Sequence, residues 1–301
     1  MSGQEPLTLC ILGCGNLGTA ILKSLLTSSE SLFSKYIACV QSNSSAERLK
    51  GQFSEHTNTN TLTVSTNNNI QSIQDSDVII LGLDPSAIQS GLTQPGLREA
   101  LSLKLLISVA AGWTRQKLEE TLYGTDTEAV PQNERTFVIR TLPNIAALVS
   151  ESLTAIEIEP GREIPEEYLR LTNAIFSRVG QTLEIPPSLI DATTAVAGST
   201  PAMFAIIVDA MVDAAVAVGV PRNMAHTMIF QAMRGTAGML QSGVHPALLR
   251  DQGTSPEGCT IGGVMVLEEA GVRGHVGRAL REAVTLARIM DGVRHVNDTR
   301  E

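Results

Sequence analysis

LTLCILGCGNLG, residues 7–18, decides how the rest of the chain is read. Its first half, LTLCIL (7–12), is an apolar run of strand length, and it passes directly into Gly-x-Gly-x-x-Gly at 13–18. A helix is expected over 16–27. Each glycine then has a physical task. Gly13 allows the tight turn, Gly15 lets a pyrophosphate approach the backbone, and Gly18 lets helix and strand pack closely. The helix N-terminus faces the phosphates. A lone fingerprint of this kind carries little, but one placed after a first strand and opening a helix points to dinucleotide binding rather than to a plain tight turn.

Working outward, strand-like runs recur at YIACV (36–40), LTV (62–64), DVIILGL (77–83), KLLISVA (104–110), RTFVIR (135–140), 153–158 and QTLEI (181–185). Helical or polar segments separate them, among them 45–53, 166–177 and a Thr/Asn-rich stretch at 57–69. The alternation predicts βαβ units and a parallel sheet. Pro186–Pro187 breaks the pattern, which puts a dinucleotide-binding domain at 1–185 and a helical domain at 186–301. Helices are expected over 188–197, 200–219, 222–241, 245–251, 258–270 and 273–291, with Pro201, Pro221 and Pro246 near helix starts. PAMFAIIVDAMVDAAVAVGV (201–220) is apolar on most of its circumference, the mark of a helix buried on nearly all sides. A domain this small does not bury all of these helices alone, so a second subunit is expected to cover them.

Composition excludes several classes. The chain has 301 residues, 43% hydrophobic, with net charge −9, no Lys/Arg cluster and no Lys after Lys117. No nucleic-acid partner is expected, since phosphate binding needs a basic footprint. Aromatics at 3% also argue against base-stacking platforms. No membrane span is expected: residues 7–12 are too short, and 201–220 carries Asp209 and Asp213. Cys10, Cys14, Cys39 and Cys259 show no paired spacing and read as reduced thiols of a cytoplasmic protein. Five histidines without HxxxH or HxH spacing give no support to a metal site.

The second strand ends in QSNSS (41–45), where an NAD site would carry an acid for the ribose hydroxyls. Ser42, Asn43 and Ser44 instead offer donors to a 2′-phosphate, and Arg48 is the nearest arginine. NADPH is favoured, with NADH left open. The helical half has no lysine, and its histidines look peripheral, His226 reading as a packed residue. A carbonyl reductase needs a strong proton donor, whereas a protonated imine already accepts hydride well. The missing acid therefore points to an imine substrate. TSPEGCTIGG (254–263) opens a later helix with small residues and the hydroxyls of Thr254, Ser255 and Thr260. Its amides around Gly258–Thr260 suit a carboxylate. Equally, Thr254 and Glu257 form a capping-box pattern, with the small residues serving only helix packing.

Four blocks in order, GCGNLG (13–18), VIRTLPNIAALV (138–149), AGSTPAMF (197–204) and TSPEGCTIGGVMVLEEAG (254–271), resemble those of pyrroline-5-carboxylate reductases over nearly the whole chain. The resemblance implies an α/β Rossmann-type domain followed by an all-helical dimerisation domain. It implies NAD(P)H-dependent reduction of 1-pyrroline-5-carboxylate to L-proline by a homodimer or higher homo-oligomer, the partner's helical half completing the site. Carried over by motif, Gly13, Cys14, Gly15, Asn16 and Leu17 line the pyrophosphate, and Ser42 and Ser44 lie near the adenosine phosphate. Asn69, Gly82, Leu83, Pro85, Val109, Ala110 and Ala111 flank the cofactor. Ser255, Gly258, Cys259 and Thr260 hold the substrate carboxylate and ring nitrogen, with Ser255 and Thr260 as the catalytic pair. Two positions depart from the family: Asp84 stands where it usually has Lys, and Glu257 where it usually has Gly. They motivate a second reading, a reductase of another cyclic imine in a specialised pathway. A third, a dinucleotide-binding sensor without turnover, is opposed by the complete set of blocks.

Overall fold

The computed structural model describes residues 7–127, 130, 131, 134–161, 164–290, 298 and 299. The chain divides after Gly198 into two compact units. The first alternates strands and helices: β1 (Thr8–Leu12), α1 (Asn16–Leu26), β2 (Lys35–Val40), α2 (Asn43–Gln52), α3 (Ser54–Asn58), β3 (Leu62–Thr66), α4 (Asn69–Gln74), β4 (Val78–Leu81), α5 (Pro85–Leu92), α6 (Leu97–Leu101), β5 (Leu105–Ser108), α7 (Arg115–Tyr123), β6 (Phe137–Leu142), β7 (Ser152–Glu157), α8 (Glu166–Ser177), β8 (Gly180–Ile185) and α9 (Ile190–Val196). The polar 57–69 stretch is not structureless; it holds the end of α3, all of β3 and the start of α4.

The strands form one eight-stranded sheet in the order β3-β2-β1-β4-β5-β6-β7-β8. β1 pairs in parallel with both β2 and β4, which makes it central. Central parallel strands are covered on both faces, hence the unbroken apolar runs of β1, β4 and β5. Successive side chains go to opposite layers. Leu9, Ile11, Ile80 and Ile107 pack with Ile21, Leu22 and Leu25 of α1 and Ile175 and Phe176 of α8. Cys10, Leu12, Ile79, Leu81 and Leu106 pack with Ile88 of α5, Leu101 of α6 and Leu118 of α7.

The expectation of a parallel sheet fails at one place. β6 and β7 pair antiparallel, with Thr141 opposite Ile156. Residues 143–151, containing the 3-10 helix Ile145–Val149, are all that joins them. A parallel crossover needs about a dozen residues or more, so the chain turns straight back. α8 then supplies a full crossover, and β8 runs parallel to β7.

The Pro186–Pro187 break does not end this unit. A 3-10 helix, Pro187–Leu189, leads into α9, and Ile190 packs with Leu142, Ala155 and Ile185. The second unit, Ser199–Leu286, contains α10 (Thr200–Ala217), α11 (Arg222–Gln241), α12 (Pro246–Gln252), α13 (Cys259–Glu269) and most of α14 (Val272–Met290). Pro187–Ala217, mean hydropathy 1.7, is long and apolar enough to cross a membrane by length and composition alone. It is not one helix, however, since residues 197–199 part α9 from α10. α10 was expected to be buried on nearly all sides, yet Val212 is its one fully buried residue, while Phe204, Ile206 and Met211 are exposed. A single copy lacks the neighbours that so apolar a circumference needs.

Candidate active site

The glycine loop is built by close backbone approach. Gly13 has φ +88°, and a Cβ there would lie 2.6 Å from the Gly82 carbonyl oxygen and 2.7 Å from the Leu83 nitrogen. The ends of β1 and β4 therefore touch through bare backbone. The amides of Gly13 and Cys14 donate to the Cys39 carbonyl at 3.2 and 2.9 Å, tying the loop to β2. Gly15 is the N-cap of α1, with no side-chain cap and nothing within 4 Å of its absent Cβ. A cleft of about 380 Å³ opens over it.

Of the residues expected around the cofactor, Gly13, Cys14, Gly15, Asn69, Gly82 and Leu83 line this cleft. Asn16, Leu17, Ser42, Ser44, Pro85, Val109, Ala110 and Ala111 lie outside its lining. Asn16 is exposed at the start of α1, and Leu17 packs on the core. Ser42 caps α2, accepting from the Ser45 amide at 3.2 Å, and its hydroxyl lies 3.0 Å from Ser44 Oγ and 2.9 Å from Ser45 Oγ. Pro85 opens α5, and its carbonyl accepts from Trp113 Nε1 at 3.0 Å. Val109 and Ala110 are buried just past β5, and Ala111 is half-buried. Cys14 contributes backbone, not sulfur: its thiol is buried 3.8 Å from Thr19 Oγ1, and burial pushes it up to about 11.

Asp84 also lines the cleft. It is the N-cap of α5, accepting from the Ser86 amide at 2.9 Å and the Ser86 hydroxyl at 2.5 Å. Those bonds hold its carboxyl below the usual range, so the charge persists at neutral pH. Sequence reasoning did not place Gln41, Ser45, Arg48, Asn67, Ser90 or Gln94 in the site, yet all line the cleft. Three carried a usable signal. Ser45 and Arg48 are one helical turn apart, and Asn67 has φ +53°, a conformation that favours asparagine.

In the second unit, α13 starts at Cys259 behind the N-cap Gly258, without a side-chain cap. The capping box suggested by Thr254 and Glu257 does not form. Thr254 Oγ1 donates back to the Asp251 carbonyl at 2.9 Å, and Glu257 turns to φ +59°. The helix begins too late for Thr254 to cap it. The Gly258 amide is used by the Ser255 carbonyl at 3.0 Å, closing a turn. Cys259, Thr260 and Ile261 supply the next amides, which as first-turn groups have no intrahelical acceptor. Ser255, Cys259 and Thr260 are exposed and Gly258 is half-buried. His226, expected to be packed, is exposed in a single copy, its ring stacked on Phe230 with centroids 5.1 Å apart. Among the described residues no cluster of His, Cys, Asp or Glu could hold a metal ion.

Residues 187–290 match the family described as pyrroline-5-carboxylate reductase dimerisation, and residues 8–112 match NADP oxidoreductase, coenzyme F420-dependent. A pyrroline-5-carboxylate reductase of Lophium arboricola is 39% identical, over 99% of this chain and 98% of its own. The chain belongs to the pyrroline-5-carboxylate reductase family. A second relative, the pyrroline-5-carboxylate reductase of Neurospora crassa, is 36% identical over 100% of this chain and 98% of its own. The solved pyrroline carboxylate reductase of Plasmodium falciparum, with NADP bound, has a TM-score of 0.78 and 23% identity, covering 96% of this chain and 100% of its own, a likeness of fold. The dimerisation match supports self-association, and the exposed apolar residues of α10, α11 and α13 offer a surface for it.

Proposed function

We propose that this chain reduces 1-pyrroline-5-carboxylate to L-proline with NADPH, working in the cytoplasm as a homodimer or higher homo-oligomer. The observation that carries this reading is identity to pyrroline-5-carboxylate reductases along essentially the whole chain. The functional boundary is taken at 185/186, supported by the helical match that begins at 187.

The residues present fit a phosphorylated dinucleotide. Gly15 leaves the α1 N-terminus open to a pyrophosphate along Gly13–Leu17, and the β2 end offers Ser42 and Ser44 with no acid. Asn69, Gly82, Leu83, Pro85 and Val109–Ala111 flank it. When bound, the dinucleotide supplies a hydride to the carbon of the C=N bond. The chain's own contribution is positioning. The uncapped α13 N-terminus holds the substrate carboxylate through the amides at 259–261 and the helix dipole. Thr260, with Ser255, hydrogen-bonds the ring nitrogen and carries its proton.

The test is NADPH consumption by the purified protein with 1-pyrroline-5-carboxylate, repeated with NADH. Turnover, faster with NADPH, is expected. Tight NADPH binding without turnover of this imine would sink the reading and favour the sensor. A second reading, another cyclic imine as substrate, is favoured by Glu257, an exposed carboxylate in the turn before the carboxylate-binding amides. Unchanged activity of Glu257→Gly on 1-pyrroline-5-carboxylate removes that support.

A further inference from the structure

Among the described residues, Arg48 is the one cation lining the dinucleotide cleft and Asp84 the one anion. It sits on α2 a single turn beyond Ser45, so both project from the same side of the helix into the cleft. Its Nη2 donates to the Cys14 carbonyl at 3.3 Å and to Thr19 Oγ1 at 3.4 Å. Both partners are neutral, and among the described residues no carboxylate pairs with it. The guanidinium is thus oriented by two weak bonds while its charge stays unspent. At the N-terminus of the same helix the Ser42 hydroxyl lies 3.0 Å from that of Ser44 and 2.9 Å from that of Ser45, and Ser45 lines the cleft with Arg48. Planar donors next to hydroxyls at a helix N-terminus are the chemistry that receives a phosphate monoester.

We propose that Arg48 is the residue that makes this chain prefer a 2′-phosphorylated dinucleotide, acting as a positioned cation that the Cys14 carbonyl and Thr19 hydroxyl hold at the adenosine end of the cleft. The proposal rests on the dinucleotide reading above, but not on the identity of the imine. The hydroxyls supply hydrogen bonds that a ribose or a phosphate can use equally. Arg48 supplies the charge that only the phosphate rewards. Its clamp gives it a second task, bracing the glycine loop at Cys14, and the two tasks separate experimentally.

The experiment measures dissociation constants of 2′-phospho-ADP-ribose and ADP-ribose for the full-length wild type, Arg48→Met and Arg48→Lys. Neither probe carries a nicotinamide, so the readout is independent of turnover. The wild type should bind the 2′-phosphorylated probe more tightly, by a margin that shrinks with added salt. Arg48→Met should weaken that probe by about tenfold, the scale of a charge-assisted contact at an exposed site, and change ADP-ribose by less than about twofold. Arg48→Lys should fall between, and its retained charge keeps the comparison open if the Met variant folds poorly. Equal weakening of both probes would mean that Arg48 only braces the loop, and would overturn the proposal. So would no change in either, or a wild type without preference. A wild type that prefers the 2′-phosphorylated probe yet leaves 1-pyrroline-5-carboxylate unreduced would sink the proposed reaction and leave Arg48 standing.

Discussion

β1 and α10 are both apolar, and they meet opposite fates. Leu9, Cys10, Ile11 and Leu12 are at most 1% exposed, whereas Ile206 of α10 is 72% exposed. A central strand has two faces, and the helices connecting the strands of the same chain cover both. α10 is apolar around its circumference, and its own unit does not surround it. Apolar composition thus reports that a surface will be covered, not which molecule covers it. The sheet unit carries its own core; the helical unit leaves an apolar surface open to another copy, and stability gained by such association depends on concentration.

The sharpest way to break this contrast is Ile206→Asp. A carboxylate forced into a covered apolar face costs several kcal/mol per copy, so the variant should sediment as a smaller species and lose the concentration dependence of Tm expected of the wild type. An unchanged assembly would show that this face is not the one covered. Next in size is Gly13→Ala in the sheet unit. Positive φ and the approach to Gly82 together should cost about 3 kcal/mol, seen as a lower denaturant midpoint that does not vary with protein concentration. Thr260→Val tests the helical unit's chemical role: kcat should fall about 100-fold while NADPH affinity stays within about twofold. An equal loss in both would remove Thr260 from the proton path. Glu257→Gly relieves a left-handed glutamate at some entropic cost, so stability should rise by about 0.5 kcal/mol, read from Tm. Smallest is Asp84→Asn, which keeps the α5 cap while removing charge from the cleft; NADPH should bind about twofold more tightly.

Much of this was legible in the residues. The apolar runs, the glycine fingerprint and the proline-marked helices predicted nearly every long element, because each depends on local periodicity and backbone chemistry. Strand direction does not. The reversal at β7 was encoded only in the shortness of 143–151, a length too small for a crossover. The Thr254/Glu257 capping pattern misled because Pro256 and Glu257 form a turn that delays the helix to Cys259. Arg48 was visible as the nearest arginine, but its reach back to Cys14 is a tertiary contact that spacing does not reveal.

The contacts among Gly13, Gly18 and Gly82 also constrain how this chain can change over time. A Cβ at Gly18 would sit 2.8 Å from the Gly13 carbonyl oxygen, one at Gly82 3.0 Å from the same atom, and one at Gly13 2.6 Å from that of Gly82. The nearest obstacle at each position is main chain, which no substitution elsewhere can trim. A side chain gained at one of the three finds no compensating change at the other two, since each already carries the smallest residue available. The three positions form a mutational dead end, and drift in this region is confined to the residues between them, such as Cys14, Asn16 and Leu17.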